Sequence, residues 1–247
     1  MDQETARKIL KETEAGYDAM SVKFSQTRKY FWRGLEFIAD YAKDGNKVLD
    51  FGCGNGRLLE LFADKNIDYF GTDVSAKLID LAQQKYASAH FAKTNTSQTS
   101  LAFTNEFFNT VYSIAVFHHF PSQKYREEVA KELYRVTKKD GHIIITVWNL
   151  WQKRYIKNIV NNWLEKLYFI FAGATRVGKN INSGKLDWND CYISFTDNQG
   201  KKFQRFHHAF TKRELKKLFS SAGFKIEKCE TINGRNIVLI GKKARDL

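Results

Sequence analysis

The chain is predicted to fold as an α/β domain around a doubly wound, mostly parallel sheet of seven strands. Three observations carry that expectation. Strand-like apolar runs alternate with helical patterns from residue 46 onward, which is the signature of linked βαβ units. A loop with glycines at 52, 54 and 56 follows the first strand-like run and leads into Leu58, Leu59, Leu61 and Phe62 at helical spacing. The run Ile143-Ile144-Ile145-Thr146-Val147-Trp148 has no polar face, as expected of a strand covered by helices on both sides.

The 247 residues suffice for one large domain or a core with an insertion, and one domain is expected. A hydrophobic content of 43% with 27% charged residues is that of a soluble globular protein, and no stretch approaches the ~18 uninterrupted apolar residues of a membrane span. Met1-Asp2-Gln3-Glu4 does not read as a signal peptide, so no membrane association is expected. Cys53, Cys191 and Cys229 lie far apart without a C-x-x-C pair, which points to a reducing cytoplasmic setting, with neither a disulfide framework nor a metal site expected. The 40 Lys and Arg against 27 Asp and Glu leave a net charge of +13. Such a balance suits a polyanion such as RNA, although a coding bias toward lysine gives the same numbers.

Residues 1–45 are expected to form a helical segment that lids the site. Arg28 and Trp32, four apart, are expected to share a helical face, where one grips an anion and the other stacks on a base; Trp32 in the core with Arg28 merely solvated fits the spacing equally. Val48 to Phe51 is the first strand. Asp50 precedes the glycine loop by two residues, and an acid there repels a pyrophosphate and suits a cation, unlike the G-x-G-x-x-G of dinucleotide folds. Asp68 to Asp73 is the second strand, with Asp73 placed to accept hydrogen bonds from ribose hydroxyls. Val74 follows, and Ser75 caps the helix of Leu78 and Ile79. His90-Phe91-Ala92 is a short third strand, followed by a polar loop rich in Thr, Ser and Asn. Phe108 to Ile114 is the fourth strand, running into Ala115 and the pair His118-His119, at the carboxyl end where open α/β sheets bind ligands. A helix over 123–137 leads to the fifth strand.

Residues 149–204 break the rhythm. Trp148, Trp151, Tyr155, Trp163, Tyr168, Phe169 and Phe171 stand among Lys153, Arg154, Lys157 and Lys166, with Arg176, Lys179, Lys185 and Trp188 beyond. Interleaved rings and cations suit single-stranded RNA, and a helix packing its rings on the sheet edge explains them equally. Thr211 with Glu214 then reads as a capping box, and two strands close the chain across Asn233-Gly234.

Asp50-Phe51-Gly52-Cys53-Gly54-Asn55-Gly56-Arg57 resembles motif I of the class I S-adenosylmethionine (SAM) methyltransferases, a Rossmann-like fold. Further segments are similar to the tRNA wobble-uridine carboxymethyl methyltransferases: Tyr17-Asp18, Phe24-Ser25, Thr27-Arg28, Trp32, Ser113 to Phe120, Val147-Trp148, Asp190 with Tyr192 to Phe195, and Arg205 to Phe210. Asn109, Ser97, Ser194 and His207 depart from that family's pattern. The resemblance implies a SAM-binding core at 46–148, a substrate-binding insertion at 149–204 after the fifth strand, and a closing helix and strand pair at 205–247. It implies Asp50, Gly52, Cys53, Gly54, Asn55, Gly56, Asp73, Val74, Ser97 and Ala115 as cofactor residues, and Arg28, Trp32, His118 and Arg205 as catalytic ones. It implies tRNA as partner, wobble-uridine methylation as the process, and the small activating protein that some relatives require. Two rival functions stand beside this one, methylation of a small metabolite and a non-catalytic RNA-binding subunit on the same fold.

Overall fold

The computed structural model describes residues 1–28, 30–172, 186–196, 199–200 and 202–244. Helix α1 spans Gln3–Thr27, capped by the Asp2 carboxylate on the Thr5 N–H. Strands β1 (Lys47–Phe51), β2 (Asp68–Asp73) and β3 (His90–Lys93) follow, with α2 (Ala76–Lys85) capped by Ser75 as expected. Then come β4 (Phe108–Ile114), α3 (Gln123–Val136), β5 (Thr137–Trp148) and α4 (Ile156–Ala172). The hairpin β6 (Asp190–Thr196) and β7 (Lys202–His208), helix α5 (Lys212–Ser221), and strands β8 (Phe224–Ile232) and β9 (Asn236–Lys243) complete the chain.

Seven strands form one sheet in the order β3-β2-β1-β4-β5-β9-β8. Strands β1 to β5 pair in parallel, and β9 runs antiparallel to both β5 and β8. The doubly wound fold expected from the alternation is therefore present. Successive side chains of a strand face opposite sides, and here each side meets its own helical layer. Leu49, Phe51, Val111, Ile143, Ile145 and Leu239 pack with Val129 and Leu133 of α3 and Leu215 and Phe219 of α5. Val48, Tyr112, Ile144, Val238 and Ile240 pack on the other side against Leu35, Ile38, Leu58 and Phe62. Each such side chain contributes roughly 1.5–3 kcal/mol on burial. The continuous apolar run of β5 exists because both layers claim it.

Three local expectations are corrected. The run after the glycine loop is a short 3-10 helix, Arg57–Phe62, entered through Gly56 at φ +75. The segment holding Trp32 to Tyr41 is a turn and a 3-10 helix, Glu36–Tyr41, because Gly34 at φ +87 interrupts helical geometry. Arg28 caps the C-terminus of α1, so Arg28 and Trp32 do not share a helical face. Among the described residues no helix is long and apolar enough to cross a membrane.

Candidate active site

Strand order reverses at β1, which has β2 on one side and β4 on the other. Ligands of open α/β sheets bind at the carboxyl ends of strands at such a point. There the structure holds a cavity of about 790 Å3, measured out to its open mouth. Its floor is the glycine loop. The N–H groups of Gly52 and Cys53 both donate to the Thr72 carbonyl, pinning the turn to β2. Gly52 sits at φ +78, and a Cβ there would meet Val116 Cγ2 at 2.3 Å, so only glycine fits.

Asp73, at the tip of β2, lines the cavity and accepts the Gly54 N–H at 2.9 Å and the Ser75 N–H at 2.8 Å. Burial pushes its carboxyl upward against those bonds. Gly52, Gly54, Val74 and Ala115 line the cavity as well. Asp50 does not: it lies beneath the loop, accepting the Tyr69 hydroxyl at 2.6 Å. Burial pushes Asp50 up to about 7, the Tyr69 bond opposing. Cys53, Asn55 and Gly56 also support the loop from outside the cavity lining, Asn55 by donating to Ser25 Oγ. Ser97 turns away to donate to Asn95 at 2.8 Å, while Thr96 and Gln98 on either side of it line the wall.

Helix α1 roofs the cavity through Leu10, Thr13, Tyr17 and Phe24. Asp18 accepts the Ser75 hydroxyl at 2.6 Å, and Glu14 pairs with Lys93 at 2.9 Å and accepts from Thr96. The expected lid is thus tied to the tip of β2 and the loop after β3.

At the far end stand Arg28, Trp32, Arg57, His118, His119, Trp148 and Arg205. All four residues expected to be catalytic are brought to one wall, though by different elements. Arg28 lies over the Phe24 ring at 4.4 Å, and Arg57 lies 3.9 Å from the Trp32 ring centre. Arg205 on β7 donates to the Tyr17 hydroxyl at 3.1 Å and faces the rings of Tyr17, Trp148 and Phe195. Burial lowers Arg28 and Arg57, the latter to about 10, and the guanidiniums disfavour one another. Among the described residues none of the three makes an ion pair with a carboxylate.

Hydrogen bonds fix the histidine tautomers. His119 Nδ1 donates to the Phe206 carbonyl at 3.0 Å, leaving Nε2 to accept from Tyr17 at 2.8 Å. His118 Nδ1 accepts the Trp148 N–H at 3.4 Å, which puts its proton on Nε2. Among the described residues, His118 Nε2 and Arg205 Nε are both buried without a partner. Burial, with the neighbouring histidines and Arg205, holds His118 well below the ordinary histidine range, and burial with Arg205 holds His119 at about 3. These rings stay neutral at physiological pH.

Sequence reasoning missed Arg57, Phe24, Thr96 and Gln98, and did not place Tyr17 or Trp148 in the site. Tyr17, Phe24, Arg57 and Trp148 lay in segments already singled out, whereas Thr96 and Gln98 carried no separate signal. The aromatics of 148–188 divide. Trp148, Trp151, Tyr155 and Trp163 pack around Leu150, Ile159, Cys191 and Ala209, while Tyr168, Phe171 and Trp188 are exposed. Arg176, Lys179, Lys185 and the Phe169 side chain lie outside the described residues.

Residues 24–228 match the protein family described as Methyltransferase domain. The chain is 34% identical over 132 residues to a tRNA (carboxymethyluridine(34)-5-O)-methyltransferase of Arabidopsis thaliana, a match covering 53% of this chain and 31% of that one. It is 26% identical over 208 residues to the Schizosaccharomyces pombe protein of the same name, covering 84% of this chain and 86% of that one. The chain spans about a third or less of the length of the first relatives it matches. Among solved structures, a SAM-dependent methyltransferase from Methanosarcina mazei superposes with a TM-score of 0.67 at 21% identity, covering 88% of this chain and all of that one, a likeness of fold.

Proposed function

The chain belongs to the Methyltransferase domain family and takes S-adenosylmethionine as its cofactor; from that premise we propose that it esterifies a carboxylate of a modified uridine at the tRNA wobble position. The observation that carries this reading is a pair of buried, unpartnered donors, Arg205 Nε–H and His118 Nε2–H, on two residues of the cavity wall. A buried donor without a partner costs ~1–3 kcal/mol, which an accepting ligand returns. Two such donors, with the guanidiniums of Arg28 and Arg57 beside them, suit an anionic group with two oxygens. The relatives of Arabidopsis and Schizosaccharomyces carry names that fit the same chemistry.

The glycine cradle fits the cofactor, since its backbone comes close where a side chain would obstruct. Gly52, Gly54, Asp73, Val74 and Ala115 would hold it, with Asp73 keeping lone pairs for ribose hydroxyls and Asp50 supplying charge from beneath. Bound there, the cofactor supplies an electrophilic methyl on a sulfonium. A carboxylate is already ionised at neutral pH. The site therefore needs no strong base, and its histidines, held neutral far below pH 7, are poor ones. Catalysis reduces to positioning: Arg205, Arg28 and His118 orient the oxygen, Trp32 and Trp148 present ring faces to a base, and α1 keeps water out. An alcohol or amine substrate would want a base that this wall lacks. A small activating partner and a cytoplasmic setting complete the proposal.

The test incubates the protein with labelled SAM and bulk tRNA and identifies the methylated nucleoside by mass spectrometry. A methyl ester of a carboxymethylated uridine is expected. Label found only on small molecules would leave a metabolite methyltransferase, and no SAM binding by calorimetry would favour a non-catalytic subunit.

A further inference from the structure

The 3-10 turn Phe117–His119 after β4 carries His118 and His119, and β7 brings His207 to them across 88 residues of sequence. Every pair of the three rings is in contact: centroids are 4.3 Å apart for His118 and His119, 4.7 Å for His119 and His207, and 5.3 Å for His118 and His207. One ligand nitrogen from each lies within 4.8 Å of the others. All three side chains are buried. His207 Nδ1 donates to the Arg205 carbonyl at 2.9 Å, as His119 Nδ1 does to that of Phe206. Metal-binding histidines commonly anchor their second nitrogen in this way, which fixes the ring and frees the other lone pair. His207 Nε2 is such a lone pair, buried with no partner among the described residues.

We infer that His118, His119 and His207 form a site for one borderline transition-metal dication, of the Zn2+, Co2+ or Ni2+ class that imidazole prefers. Three contacts oppose occupancy and make the site weaker than a structural three-histidine zinc site. Arg205 adds a positive charge beside the cluster, and it already disfavours protonation of each ring. His118 must also move its proton from Nε2 and release the long bond from the Trp148 N–H. Tyr17, which bonds His119 Nε2, must let go as well. Because His118 and His119 line the cavity, an ion there removes the His118 donor and loosens the Tyr17 contact. The expected consequence is inhibition of methyl transfer by micromolar to millimolar metal, relieved by chelator.

The test titrates Co2+ into the purified, chelator-treated full-length chain and follows its visible ligand-field absorption, a readout independent of any RNA substrate. One equivalent with a four- or five-coordinate spectrum is expected. His207→Phe and His207→Gln should each lose that equivalent while keeping the circular dichroism spectrum and SAM affinity of the parent. No such absorption in the parent overturns the site. An undiminished spectrum in whichever variant remains folded also overturns it, by moving the cobalt elsewhere; if neither folds, absence of the equivalent in His119→Gln supports the site and its persistence overturns it.

Discussion

Asp50 lies buried under the glycine loop, and burial pushes its carboxyl up to about 7. A cationic ligand above the loop favours the ionised form, so the carboxyl titrates lower in the complex than in the free protein. Above pH 7 the free protein already holds the carboxylate and affinity is level. As pH falls below 7 the proton must leave on binding, at a cost of up to 1.36 kcal/mol per pH unit. SAM affinity measured by calorimetry should therefore weaken by up to about tenfold between pH 7 and pH 6, and Asp50→Asn should flatten that slope. Equal slopes in the two proteins would mean that Asp50 is not coupled to the cofactor. Arg205 poses the complementary question at the other end of the cavity. Its Nη1 is committed to Tyr17 and its Nε is not. Arg205→Ala should lower kcat/KM for tRNA at least about tenfold, which is 1.36 kcal/mol, with SAM affinity nearly unchanged. Arg205→Lys should not restore it, since an ammonium cannot present the guanidinium's fixed fork. Retained turnover, or a matching fall in SAM affinity, would remove Arg205 from the substrate's partners.

Hairpin β6/β7 positions both Arg205 and His207, and a buried charge cluster fastens it. Asp190 and His208 are cross-strand partners, and His208 bonds Asp190 at 2.6 Å through Nδ1 and Glu214 of α5 at 2.7 Å through Nε2. Burial and Arg126 work against the imidazolium, but the two carboxylates prevail and raise His208 above its ordinary value. A raised histidine contributes stability that is complete below its unfolded value near 6.5 and is lost as pH rises through its folded value. Removing one partner of such a buried set costs ~3–5 kcal/mol. His208→Phe should thus be destabilised by roughly that amount at pH 6 in urea unfolding, with the gap to the parent narrowing toward pH 9. A gap independent of pH would mean that His208 packs there as a neutral ring. The capping box expected from Thr211 and Glu214 was half legible for the same reason. Thr211 does cap the Glu214 N–H, but the Glu214 carboxylate is drawn to His208, a partner from another element that local spacing does not reveal. Strands and buried helices were readable because periodicity reports burial. The shared face of Arg28 and Trp32 was not, since Gly34 and the end of α1 broke a pattern that spacing alone continued.

For the whole molecule, the net charge of +13 has two explanations, an RNA partner and a lysine-rich composition. The glycine loop and strand tips were legible because their chemistry is local, one acid and three glycines in seven residues. The far wall of the cavity was legible only as scattered residues, since residues from several elements meet there through tertiary packing. The insertion was the least legible part: three of its aromatics, Trp151, Tyr155 and Trp163, pack around Leu150 and Ile159. What remains free on the described part of α4 and beside it is Tyr168, Phe171 and Trp188, with the Lys166 ammonium 5.5 Å from the Trp188 ring. Lys153, Arg154 and Lys157 are exposed at the start of this region. If these cations meet phosphates, each contact releases condensed counterions, and log affinity falls with log salt in proportion to their number. Replacing the three with glutamine should weaken tRNA binding at low salt and lower the slope by about 2 to 3 units, since each phosphate contact contributes ~0.7–0.9. SAM affinity should hold, because none of the three lines the cofactor cavity. The measurement is tRNA binding by filter or fluorescence titration between low and physiological salt for parent and triple variant. An unaltered slope would show these cations to be a solvated face and the basic composition a property of the sequence at large, with tRNA engaged elsewhere or not at all.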